Sequence, residues 1–162
     1  MSFDLSVIPN KNIVLAVTGG IAAYKSAILV RRLKDVGFNV RVVMTQGAQA
    51  FITPLTFQAL SGNPVHTELL NPEAEAGMGH IELARWADLL LVAPASCNTL
   101  AKFAAGLADD LLSTLYLATK SPVWVAPAMN QQMWAAKATQ RNLNTLVEDG
   151  VHVIMPDAGS QA

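Results

Sequence analysis

Residues 12–25 read NIVLAVTGGIAAYK: an apolar run, a Gly-Gly turn and the opening of a helical pattern. The run has no polar alternation, so it predicts a strand covered on both faces, as in the middle of a parallel sheet. Strand and helix then keep alternating. A helical stretch over 21–36 carries Lys25, Arg31, Arg32 and Lys34 mostly away from Ile28, Leu29 and Leu33, and Gly37 stops it. NVRVVM (39–44) is a second strand, followed by a helix around 55–60, an SGNP turn and an irregular stretch over 65–79. ADLLLVAPA (87–95) is a third and more apolar strand ending at Pro94, with a small-residue helical region over 99–118 that contains Gly106. PVWVAPA (122–128) is a fourth strand, a helix lies within 133–149, and VHVIMP (151–156) is a fifth strand. This order predicts an α/β fold with a doubly wound parallel sheet in three layers.

Composition narrows the function. The 162 residues are one domain's worth of chain. With 52% hydrophobic and 14% charged residues, the chain is greasy for a monomer, which predicts apolar surface covered by further copies. A net charge of −1 with scattered basic residues gives no electrostatic case for nucleic acid. Cys97 is the single cysteine, so no internal disulfide forms and a reducing compartment fits. The opening MSFDLSVIPNKN lacks a basic secretory leader, and no apolar run approaches bilayer length. The expected location is cytoplasmic, with no membrane partner.

In doubly wound sheets ligands bind beyond the carboxyl ends of the strands. Gly19 and Gly20 stand between the first strand and its helix, where free N–H groups favour a phosphate; an ordinary tight turn is the plainer alternative. The motif is neither GxGxxG nor a P-loop. The second strand ends in MTQGAQAF, placing Thr45 and Gln46 where a dinucleotide site needs an acid, which favours a mononucleotide. After the third strand, Ser96, Asn98 and Thr99 suit helix capping or the approach of a flat ring. Cys97 has no base beside it in sequence and reads as a packing residue. Asn130, after the fourth strand, reads as a turn or capping residue or as a ligand contact. His80 opens a short helical segment; a core or capping role is the commoner one for a lone histidine. His66 and His152 read as a loop and a strand residue. Glu73, Glu75, Asp109 and Asp110 have no histidine or cysteine at ligand spacing, so no metal site is expected.

TGGIAAYK (18–25), GHIELARWAD (79–88), PASCNTLAKFAAGLADDLL (94–112), PAMN (127–130) and GSQA (159–162) occur in an order that resembles the homo-oligomeric flavin-containing cysteine decarboxylases. Within them, the phosphopantothenoylcysteine decarboxylase domains of bifunctional coenzyme A biosynthesis proteins are the most similar. The resemblance spans nearly the whole chain. It implies a Rossmann/flavodoxin-like flavoprotein with FMN at a subunit interface in trimers or assemblies of trimers. It also implies that Gly19, Gly20 and Ile21, with Thr45, hold the phosphate end. Ser96, Cys97, Asn98, Thr99 and Ala128 would line the flavin. Asn130 would bind the substrate carboxylate with Ser160, Gln161 and Ala162 of a lid, and His80 would be the catalytic base.

The implied reaction converts 4′-phosphopantothenoylcysteine to 4′-phosphopantetheine. Direct loss of CO₂ would leave an unstabilised carbanion, so flavin oxidation first makes a thioaldehyde, an electron sink beside the carboxylate. Decarboxylation then gives an enethiolate that is protonated and reduced. The family's lid cysteine follows GSQA, where this sequence stops at Ala162, and the family's C-terminal ligase domain is not in it. The expectation is therefore a decarboxylase domain truncated from a longer chain, one that stalls before final reduction. A peptidyl-cysteine decarboxylase and a non-catalytic FMN-binding regulatory subunit are the alternatives; HIELARWAD and PAMN set the chain apart from flavin prenyltransferases.

Overall fold

The computed structural model describes residues 12–70 and 78–155. Among the described residues, five strands form one parallel sheet: β1 (Asn12–Val17), β2 (Asn39–Met44), β3 (Leu89–Ala95), β4 (Val123–Pro127) and β5 (His152–Val153), in spatial order β2-β1-β3-β4-β5. The helices are α1 (Ala23–Val36), α2 (Pro54–Ser61), α3 (His80–Trp86), α4 (Cys97–Ala105), α5 (Leu111–Ala118), α6 (Gln131–Ala135) and α7 (Lys137–Glu148). This is the flavodoxin-like, doubly wound order.

The strand side chains explain the three layers. Ile13, Leu15, Val17, Val40, Val42, Leu89 and Leu91 face α1 and α2, packing on Val30, Leu33 and Phe57. Val14, Ala16, Val43, Leu90, Val92 and Val125 face the other way, onto Leu83 of α3, Leu100 and Phe103 of α4, Leu112 and Leu115 of α5, and Leu143 and Leu146 of α7. Period-two alternation thus serves two cores, and on edge strand β2 it leaves Arg41 half-buried with its guanidinium 5.4 Å from the Trp86 ring centroid.

Four elements depart from the sequence reading. The first helix begins at Ala23 and not at 21, because residues 19–22 are spent in turns. The helical region over 99–118 is two helices: Gly106 at φ 72° ends α4, and Asp110 starts α5 with a capping box, its carboxylate accepting from Ser113 N–H at 2.8 Å. Ahead of α7, which lies within 133–149 as expected, the short α6 (Gln131–Ala135) is an additional helix, separated from it at Ala136. The fifth strand is only His152–Val153, with His152 exposed against Trp124 at a ring separation of 5.0 Å.

Beyond β2, His66 pairs with Val43 in an isolated parallel bridge; Met44 N–H donates to His66 O and His66 N–H to Val42 O, both at 2.9 Å. Its imidazole is buried, Nε2 has no partner among the described residues, and burial together with the Arg41 charge lowers its pKa below 6.5. The folded chain therefore resists a proton that the unfolded chain accepts, so His66 supports stability above pH 6.5 and that support is lost as the pH falls below it. The melting temperature is expected to drop between about pH 7 and about pH 5.5, and His66→Leu to flatten that part of the profile.

Candidate functional site

In a β2-β1-β3-β4-β5 sheet the connections from β1 and β3 leave in opposite senses, opening a crevice between their carboxyl ends. A cleft of about 810 Å³ lies there. One wall is Gly19 after β1, Thr45, Gln46 and Gly47 after β2, and Ser96, Asn98 and Thr99 at the start of α4. Thr67, Glu68 and Leu69, Lys102, and Asp109 to Leu112 at the start of α5 form the other.

The chemistry of the first wall is that of an anion cradle. Among the described residues, no acceptor takes the backbone N–H groups of Gly19, Gly20, Ile21 or Ala22, nor those of Gln46 and Gly47. The two loops that carry these donors pack backbone to backbone at Gly19 and Gly47. A Cβ on Gly19 would lie 3.1–3.3 Å from Gly47 atoms, so only glycine allows this approach. Thr45 Oγ1 accepts from Ala48 N–H at 3.2 Å, which fixes the turn after β2. In α4, Ser96 caps the helix by accepting from Thr99 N–H at 3.1 Å, leaving the N–H groups of Cys97 and Asn98 unpaired among the described residues.

The other residues singled out in the sequence fall elsewhere. Ile21 is 68% exposed in the turn before α1. Cys97 is half-buried, with Sγ 3.5 Å from Thr139 Oγ1 on the α7 side. Ala128 ties the end of β4 to β3, its N–H donating to Ala95 O at 3.1 Å. Asn130 is exposed, and its Oδ1 caps α6 by accepting from Met133 N–H at 2.8 Å. His80 is half-buried in the first turn of α3. The C-terminal end of α3, opposite His80, is tied to the segment before β4, where Ser121 Oγ donates to Ala87 O. Neither His80 nor Asn130 lines the cleft of a single chain. Ser160, Gln161 and Ala162 lie outside the described residues, as do Glu73 and Glu75.

Three features of the site are not in the sequence reading. Thr18 bridges the loops after β1 and β3, as developed below. Gly47 presents the backbone against which Gly19 packs, and a glycine three residues past a strand end is its only trace in sequence. Lys102 reaches Asp109 at 3.0 Å and Asp110 at 3.5 Å across the turn that Gly106 opens. Hydrogen bonding to Asp109 holds the Lys102 ammonium above its usual range, and the same bond draws the Asp109 carboxyl down. Asp110 is thus a helix cap as well as part of the cleft wall.

The Flavoprotein family pattern matches residues 4–162. The chain belongs to the flavoprotein family. As a flavoprotein it is 60% identical over 152 residues to the Coenzyme A biosynthesis bifunctional protein CoaBC of Escherichia coli strain K12, a match covering 94% of this chain and 37% of that protein. The chain therefore spans well under half the length of the curated relatives it matches. Among solved structures, the flavoprotein fold superimposes on the FMN-dependent cysteine decarboxylase SpaF with a TM-score of 0.87 at 35% identity, covering 96% of this chain and 89% of that one. A PPC decarboxylase mutant complexed with pantothenoylaminoethenethiol gives 0.75 at 36% identity, over 90% and 82% of the respective chains.

Proposed function

We propose that this chain is an FMN-dependent decarboxylase domain, 1–162, that acts on 4′-phosphopantothenoylcysteine in coenzyme A biosynthesis. The observation that carries the reading is the set of unpartnered N–H groups that begins at Gly19, which lines the β1–β3 crevice, and runs to Ala22 in the turn after it. An FMN phosphate fits these donors, with Thr45 beside it, and no acidic residue follows β2 to select a dinucleotide ribose. Ser96, Cys97, Asn98, Thr99 and Ala128 would hold the ring. When bound, FMN supplies a two-electron acceptor for oxidation of the cysteine moiety.

The chain's own groups supply the rest. Asn130 holds the substrate carboxylate through its side-chain amide, and His80 accepts the thiol proton at an imidazole nitrogen. Ser160, Gln161 and Ala162 contribute to the substrate side. Oxidation makes the bond from the carboxylate-bearing carbon to CO₂ breakable, because the electron pair released flows into the thiocarbonyl as an enethiolate.

The same reading includes a homo-oligomer of trimers, in the cytoplasm. In support, neither His80 nor Asn130 is among the residues that line the cleft of one chain, so a second copy would be needed to bring them to it. Ile21, Tyr24, Phe51 and Leu55 are also more than half exposed in the connections and helix starts after β1 and β2. No described helix is long and apolar enough to cross a membrane.

Two tests bear on this. FMN should titrate into the apo-protein stoichiometrically, and Gly19→Ala should weaken it by about ten- to a hundredfold, since Gly47 backbone has to shift. Unchanged affinity in that variant would remove the cradle. CO₂ release should be faster with 4′-phosphopantothenoylcysteine than with a peptide ending in cysteine. The reverse preference would favour the peptidyl reading that the likeness to SpaF keeps in view.

A further inference from the structure

Near its end β3 leaves the sheet ladder. Pairing with β1 stops at Ala16↔Val92, and pairing with β4 shifts register between Val92 and Ala95. The carbonyls of Ala93 and Pro94 are buried there and need partners from outside the ladder. Two hydroxyls from the β1–α1 unit provide the shorter bonds, and Thr18 N–H adds a longer one to Pro94 O at 3.3 Å. Ser26 Oγ donates to Ala93 O, and Thr18 Oγ1 donates to Pro94 O, each at 2.6 Å.

The two residues differ in what they do besides. Ser26 makes no other side-chain hydrogen bond among the described residues. Thr18 Oγ1 also accepts from Ser96 N–H at 2.8 Å, and Ser96 caps α4 while meeting Thr99 Oγ1 at 3.0 Å. A single buried hydroxyl, used as donor and acceptor together, thereby fixes the start of α4 against the residue that precedes Gly19. It also occupies the Ser96 N–H, so that only the Cys97 and Asn98 N–H groups remain unpaired in this turn among the described residues.

We propose that Thr18 is a positioning residue for cofactor binding: it holds the β1 loop and the α4 N-terminus at one spacing, and FMN affinity depends on that spacing. The inference rests on the FMN reading above. Its test compares wild type with Thr18→Val, Thr18→Ala, Thr18→Ser and Ser26→Ala, by FMN fluorescence titration of the apo-proteins and by their melting without FMN. Loss of the hydroxyl orphans Ser96 N–H and leaves Pro94 O with only the longer bond from Thr18 N–H at 3.3 Å, so the Val and Ala variants should bind FMN roughly tenfold more weakly or worse. Thr18→Ser keeps both bonds and should bind within about twofold of wild type. Ser26→Ala loses a comparable buried bond and should melt earlier but bind FMN normally. The inference is overturned if both hydroxyl-free Thr18 variants bind like wild type, or if Ser26→Ala weakens FMN as much as they do. A wild-type chain that binds no FMN would instead overturn the functional reading, and this inference with it.

Discussion

Replacing His80 by Gln is expected to lower CO₂ release by about a thousandfold while leaving FMN affinity unchanged. The size follows from the role: glutamine can hydrogen-bond but cannot take a proton, and a positioned general base contributes about 10²–10⁴-fold. The selectivity follows from geometry. His80 lies in the first turn of α3 and outside the cleft lined by Gly19, Thr45 and Ser96. Its imidazole has no hydrogen-bond partner among the described residues, so the structural alternative, a satisfied core or capping histidine, has no bond to point to. The check is a pair of measurements on one variant, FMN titration and CO₂ release. A variant that binds FMN and still turns over within about threefold of wild type would remove His80 from the chemistry.

Asn130 offers the second large effect, and a sharper choice between two roles. Its Oδ1 caps α6 through Met133 N–H at 2.8 Å, a bond that an aspartate would make equally well. If capping were its whole purpose, Asn130→Asp would be silent. If the amide meets a substrate carboxylate, the same substitution sets two like charges together, which costs several kcal/mol. Asn130→Asp is therefore expected to keep the melting temperature of wild type and to lose about a hundredfold or more in kcat/KM. Asn130→Ala should lose the cap, about 1 kcal/mol, with the smaller catalytic defect of the two. Equal activity in Asn130→Asp and wild type would leave Asn130 a helix cap only.

The layers of this fold were legible because they are written locally. An apolar run without alternation, such as LLLV in β3, has one stable place in a soluble α/β chain, between two helical layers. Caps and stops were less so. The run from α4 to α5 keeps small and apolar residues throughout, so the left-handed Gly106 and the Asp110 capping box read as part of one helix. The start of α1 shifted by two residues because Ile21 and Ala22 suit a helix in sequence, while the structure places them in the turn that follows Gly19 and Gly20. The site was legible where strand ends carry unusual residues, as with Gly19, Thr45 and Ser96, which the cleft brings together. It was illegible where the partner is distant in sequence. Thr18 and Pro94 stand 76 residues apart, and nothing near Thr18 marks it as a bridge. His80 and Asn130 were picked out through the resemblance; in residue terms each also fits a commonplace structural role.

The most direct test of FMN-dependent cysteine decarboxylation is an anaerobic visible spectrum of the FMN-loaded chain, taken before and after adding 4′-phosphopantothenoylcysteine, with CO₂ measured in the same vessel. The expected result is loss of the oxidised-flavin absorbance together with release of CO₂. An oxidised spectrum that stays unchanged, with no CO₂, while the substrate is shown to be bound would contradict the reading and leave a flavin-binding domain without this chemistry.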